Sequence, residues 1–127
     1  MSTLSIGIAI QEIFKQSALW ERVSGRIYPL DVKDDVPFPY VVFQRSVEAA
    51  YTKDRYAVYD DVLLNVIVAS NNYAESVEIA TLVRTVLENY RGEVRGIAIN
   101  DCRMIASDED GVQENYIQGL TFKIKAK

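Results

Sequence analysis

The stretch Asn72–Gly92, NYAESVEIATLVRTVLENYRG, decides how the rest of the chain is read. Ile79, Leu82, Val83, Val86, Leu87 and Tyr90 recur at the three-and-four spacing of one helix face. Glu75, Glu78, Arg84, Glu88 and Arg91 fall mostly on the other face. Asn72 followed by Glu75 has the spacing of a capping box, in which each side chain takes an orphan amide at the helix start. Gly92 is the residue expected to end the helix in a left-handed conformation. The pattern predicts an amphipathic helix of about five turns, and such a helix needs a broad apolar surface to lie on. Its neighbours have strand character, so that surface is expected to be a sheet.

Upstream, Asp60 to Ala69 carries the strongest strand alternation: Val62, Leu64, Val66 and Val68 on one face, Asp61, Leu63, Asn65 and Ile67 on a mixed one. Before it, Tyr40 to about Ala50 puts Val41, Phe43, Val47 and Ala49 on one face and Gln44, Ser46 and Glu48 on the other. Pro37-Phe38-Pro39 presets an extended entry to that strand. Arg26 to Val32 is read as a short strand. Thr3 is placed to cap a first helix running to about Ala18, with Ile6, Ala9, Ile10, Ile13 and Phe14 as its apolar stripe. Leu4 and Ile8 sit off that stripe. They are either core neighbours, the favoured reading because small domains bury helices broadly, or a face for another subunit.

Downstream of Gly92, a link with Gly96 leads to a strand from about Ile97 to Ala106. Asp108-Glu109-Asp110-Gly111 has turn chemistry. Gln113 to Ala126 is the last strand, with Leu120, Phe122 and Ile124 inward. The expectation is one α+β domain over 1–127, ordered helix, two or three strands, helix, two strands (α-β-β-β-α-β-β). It has a mainly antiparallel four- to five-stranded sheet with two helices packed on one face.

Composition narrows the chemistry. The chain has 127 residues, a formal net charge of −4, a single cysteine and no histidine. Without histidine there is no Ser-His-Asp or Cys-His arrangement and no usual neutral-pH base. One cysteine, Cys102, excludes an internal disulfide framework and fits a reducing compartment. No apolar run approaches the ~20 residues of a membrane span, and the start lacks the basic lead and cleavage site of a signal peptide. The acidic balance argues against a nucleic-acid binder with a basic patch, though not against a protein that lets DNA pass without gripping it.

Asp60-Asp61 are adjacent in a strand and point to opposite faces, so they do not converge on one ion. The Asp108–Gly111 cluster places its glycine too early for a calcium loop. Cys102 inside a strand is expected to be a buried, inert thiol. No catalytic, cofactor or metal residue is assigned, and the chain is expected not to be an enzyme. A small metal- or nucleotide-dependent enzyme using the carboxylates, and a host interaction module, are the rival classes.

The one excess is tyrosine, eight in all. Tyr51, Tyr56 and Tyr59 cluster beside Lys53 and Arg55 in YTKDRYAVY (51–59), read as a long hairpin connection. Tyrosine and arginine are enriched at protein interfaces.

Gly25-Arg-Ile-Tyr-Pro29, then Pro37-Phe-Pro-Tyr-Val-Val-Phe43, then the strand Val62 to Val68, the helix with Val83-Arg-Thr-Val-Leu87, Asp101-Cys-Arg103 and a last strand Tyr116 to Ile124 follow in order. In that order the chain resembles, over nearly its full length, the tail-terminator or tail-completion proteins of long-tailed bacteriophages and prophages. The resemblance implies a ring, commonly a hexamer, on the head-proximal end of the tail tube. Such a ring caps the tube, fixes its length and forms the head–tail joining surface, assembled in the bacterial cytoplasm. Its implied partners are other copies of itself, the tail tube protein and a head–tail connector protein. DNA passes through the lumen unbound, with no membrane and no cofactor. A neck adaptor bridging the connector and the tail is the alternative. A ring needs a heterologous interface that closes. The candidate contact residues are Leu4, Ile8, Gln44, Glu48, Tyr51, Lys53, Arg55, Tyr56 and Tyr59.

Overall fold

In a computed structural model of the chain, residues 3–32, 35–48 and 59–127 are described. After a 3₁₀ turn at Thr3–Ser5 come helices α1 (Ile6–Lys15) and α2 (Ala18–Arg22), then strands β1 (Ile27–Pro29), β2 (Tyr40–Glu48) and β3 (Asp60–Ser70). Helix α3 (Tyr73–Leu87) follows, then β4 (Gly92–Val94), β5 (Ile97–Val112) and β6 (Asn115–Ala126). The strands form one sheet in the order β1-β2-β3-β6-β5-β4.

The α+β class and the mainly antiparallel pairing are as expected, but the strand and helix numbers are corrected. The sheet has six strands, and β1 runs parallel to β2. The strand read at Arg26 to Val32 is present but shorter, as β1, while the sixth strand, β4, has three residues, too short for alternation to reveal it. The first helix is broken into three pieces. Thr3 does not cap it; its hydroxyl donates to the Asp60 carboxylate instead.

Alternation on β3 is as read: Val62, Leu64, Val66 and Val68 are buried, while Leu63 and Ile67 are exposed. Val41 and Phe43 pair with Val68 and Val66, and Leu120, Phe122 and Ile124 pair with Val66, Leu64 and Val62. These residues and the buried faces of α1 and α3 make one apolar cluster, so the helices cover one face of the sheet. Leu4 and Ile8 are 62% and 59% exposed, which overturns their core reading. The α1 residues facing the sheet already fill the space beneath the helix.

The central helix starts as half a capping box. The Asn72 side chain accepts from the Glu75 amide at 3.0 Å. The Glu75 carboxylate does not return to Asn72. It accepts from the Ser70 hydroxyl at 2.7 Å, and Ser70 Oγ accepts the Asn72 amide at 3.1 Å, so Ser70 relays the second arm. The helix ends at Leu87 rather than near Gly92. Asn89 takes the left-handed φ of 63°, while Gly92 begins β4. Asparagine tolerates that conformation better than most residues, and the Asn89 amide is held by the Cys102 carbonyl at 2.7 Å.

The acidic run is also reassigned. Asp108, Glu109 and Asp110 lie within β5, paired with Gly119, Gln118 and Ile117. The turn falls on Gln113 and Glu114, with φ of 50° and 66°, the positive values a two-residue hairpin demands.

Gly25 connects α2 to β1 with φ +74°, and a Cβ there would sit 3.1 Å from the Trp20 ring. Gly25→Ala is expected to cost about 1 kcal/mol, since alanine pays for the left-handed backbone that glycine adopts freely. Urea denaturation measures it, and an unchanged midpoint would show the turn relaxes without cost. Just beyond, the Arg26 guanidinium donates to the Pro39 carbonyl at 2.9 Å and the Phe38 carbonyl at 3.4 Å. The two proline-bearing segments singled out in the sequence are therefore clasped together.

Candidate interaction surface

α1 buries Ile6, Ala9, Ile10, Ile13 and Phe14, so helical spacing turns Ile8 outward. β1 pairs with β2 only from Ile27↔Val41 to Pro29↔Phe43. Leu30 then takes φ 69° and donates its amide to the Phe43 carbonyl at 2.8 Å, turning the chain off the sheet. Among the described residues, no strand pairs with the outer edge of β2 beyond Phe43. The result is a groove of about 380 Å³ walled by Leu4, Ile8, Gln11 and Leu30, with Phe43, Gln44 and Arg45 at its base. Arg45 Nη2 donates to the Leu4 carbonyl at 3.1 Å across one end. Leu30 is 70% exposed, more than any other large apolar residue described.

Three of the sequence candidates, Leu4, Ile8 and Gln44, meet at this groove. Glu48 ends β2, opposite Asp61. Tyr59 is half-buried, with the Lys127 ammonium 6.0 Å from its ring centroid. Tyr51, Lys53, Arg55 and Tyr56 lie outside the described residues. Leu30 and Arg45 were not among the candidates. The available signal was an apolar residue stranded between Pro29 and Asp31 after a very short strand.

A second surface is the sheet face that carries no helix among the described residues. Gln44, Ser46, Leu63, Asn65 and Ile67 are exposed there, and Thr121 Oγ1 donates to Asn65 Oδ1 at 2.9 Å. Toward the β4 side the face is basic: Arg91, Arg103, Lys123 and Lys125 surround Asn100 and Asp101. Arg103 donates to Asp101 Oδ2 at 2.8 and 3.1 Å.

At the other end, the β5–β6 hairpin is braced against α3. Tyr73 Oη and Gln118 Nε2 donate to Glu109 Oε2 at 2.9 and 3.0 Å, and the Tyr73 and Tyr116 rings meet edge to face at 5.8 Å. Those bonds, Gln118 first, hold the Glu109 carboxyl below its usual range and push the Tyr73 phenol up. Cys102 is buried, and desolvation, then the Glu88 and Asp101 charges, pushes its thiol up to about 12, which keeps it protonated and unreactive at neutral pH. Among the described residues, no three His, Cys, Asp or Glu side chains gather where they could hold a metal ion. No helix of the described residues is long and apolar enough to cross a membrane. What these surfaces offer is apolar contact and charge.

The fold is similar to that of a chain from the virion of a native gene transfer agent particle, with a TM-score of 0.80 and 15% identity over 94% of this chain and 92% of that one. A second solved chain is similar at a TM-score of 0.72 and 11% identity, covering 100% of this chain and 96% of that one. No family model matches the sequence. No curated protein matches it either.

Proposed function

We propose that this chain is a non-enzymatic structural protein of a phage-like virion. It closes into a ring on the head-proximal end of the tail tube, stops tube growth and presents the surface that joins tail to head. The observation that carries the reading is the likeness of nearly the whole fold to a chain of a gene transfer agent virion. The ordered series from Gly25 to Ile124 and the exposed apolar groove support it. The protein works by shape: protomers meet through contact surfaces, DNA passes through the lumen without specific binding, and no cofactor takes part.

Reconstitution with tail tube protein tests this role. Polymerising tubes are expected to stop at the added protein, and pull-downs are expected to retain tube protein. Retention of the head connector without tube protein would favour the neck adaptor, and tubes that lengthen unhindered would refute capping.

The groove supplies the first contact to probe. Ile8→Ser with Leu30→Ser removes two exposed apolar side chains and is expected to leave the thermal melt unchanged. Binding to virion partners is expected to fall about tenfold or more, because burying an Ile or Leu side chain is worth about 1.5–3 kcal/mol and tenfold in affinity is about 1.4 kcal/mol. Binding unchanged by both substitutions would remove the groove from the assembly.

A further inference from the structure

Four acids, Asp108, Glu109, Asp110 and Glu114, and no base lie between Met104 and Phe122. The whole chain has 18 acids and 14 bases, so outside this hairpin 14 acids balance 14 bases. The entire formal net charge of −4 therefore resides on the β5–β6 arm. Asp108 and Asp110 pair with Gly119 and Ile117 and so point to the sheet face that carries no helix among the described residues. The arm ends in Val112, 57% exposed.

The far end of that same face has the opposite character. Leu63 and Ile105, 40% and 52% exposed, border a hollow of about 260 Å³ that also touches Lys123. Lys123 joins this hollow to the basic depression holding Arg91, Arg103 and Lys125. Arg103 and Lys123 are direct cross-strand partners, a like-charge pair that destabilises a sheet unless anions intervene. Asp101 supplies one carboxylate. Among the described side chains that line it, four cations against Asp61 and Asp101 leave this region positive. An apolar centre with a charged rim is the anatomy of a protein interface.

We infer that the acidic β5–β6 arm of one copy docks on the basic, apolar-centred end of the open sheet face of a second copy. Charge complementarity and the exposed Val112 opposite the Leu63–Ile105 hollow select this occupant. A molecule does not satisfy its own patch, because Asp108 and Asp110, opposite Gly119 and Ile117, stand four and six residues along β6 from Lys123, roughly 13 and 20 Å, beyond the reach of an ion pair. The inference deepens the proposed function, and rests on it for the ring: used once per copy, head to tail, the contact builds a ring, while used twice about a twofold axis it closes a dimer.

The test uses charge reversal in the full chain. Asp108→Lys with Asp110→Lys takes the arm from −4 to 0 and makes its open-face charges positive, and Arg103→Glu with Lys123→Glu takes the described charges of the patch from +2 to −2. Sedimentation at low salt is expected to show self-association by the wild type. It is expected to weaken strongly near 1 M salt, where the Debye length is about 3 Å. Each reversed chain alone is expected to lose association about tenfold or more. An equimolar mixture of the two, in which the open-face charges of each arm again meet a patch of opposite sign, is expected to restore it. Should the patch pair disturb folding in the thermal melt, Lys123→Glu alone carries the same expectation.

A wild type that stays monomeric at low salt overturns the inference, as does a mixture that fails to reassociate. Duplex DNA binding lost on patch reversal, with self-association untouched, overturns it in favour of nucleic acid. Tube capping that survives both reversals overturns the inference while leaving the proposed role in place. Assembly that obeys the reversals but stops at a dimer supports the contact and removes the ring.

Discussion

Phe14→Ala is expected to lower the unfolding free energy by about 3–5 kcal/mol, read from the midpoint of urea denaturation. Phe14 is fully buried, and its ring meets that of Phe43 edge to face at 5.8 Å and 68°. Truncation removes the transfer energy of the ring and the aromatic pairing, and leaves a void between helix and sheet that close packing does not refill. α1 has ten residues, too few to be stable in water unaided, so its order depends on this packing. Loosening it also frees the outer face that carries Ile8. The variant should therefore lose partner binding together with stability, whereas Ile8→Ser with Leu30→Ser should lose binding alone. A loss below about 1 kcal/mol would mean that α1 is not anchored through Phe14.

Glu75→Ala is expected to cost about 1–3 kcal/mol. Its carboxylate accepts the hydroxyl of the fully buried Ser70 and, at 3.2 Å, the Arg22 guanidinium from α2. Removing it leaves the Ser70 hydroxyl without its acceptor and unclasps α2 from α3. Arg22 also reaches Glu78 at 3.4 Å, but in a more exposed position, so that pair does not replace the lost one. The Ser70 bond first, then Arg22, holds the Glu75 carboxyl below its usual range. Glu12, bonded by Arg95 and Gln16, and Glu109 are shifted in the same direction. A carboxyl with a lower pKa folded than unfolded stabilises fully above its unfolded value, about 4.3 for glutamate. That stability is lost as pH falls through the folded value. Wild-type stability should therefore hold from neutral pH to about 5 and decline below about 4. Glu75→Gln should show a shallower decline, and an identical acid slope in the two proteins would show that Glu75 is not a linked group.

The groove and the basic patch divide what is readable in a sequence from what is not. Ile8 stood out as an apolar residue off its helix stripe, but only the turn at Leu30 and the early end of β1 show that nothing described covers it. Lys123 and Lys125 read as the outward residues of a strand. That they lie beside Arg103 depends on β5 pairing with β6 through two register shifts, after Ile99 and after Met104. The Asp108–Gly111 run has the composition of a turn, yet continuous pairing with β6 extends β5 through it and moves the turn to Gln113–Glu114.

From its sequence alone the chain determined its α+β class, its central amphipathic helix, the inward faces of β2, β3 and β6, and the buried Cys102. Each of these is a local periodicity, and period 2 or 3.6 is written in neighbouring residues. The tertiary structure decided the six-strand order with a parallel β1, the Ser70 relay at the α3 cap, the place of the hairpin turn, and the separation of an acidic arm from a basic face. Those features arise when segments far apart in the chain are brought together, and the energy of their pairing outweighs the local preference of any one of them.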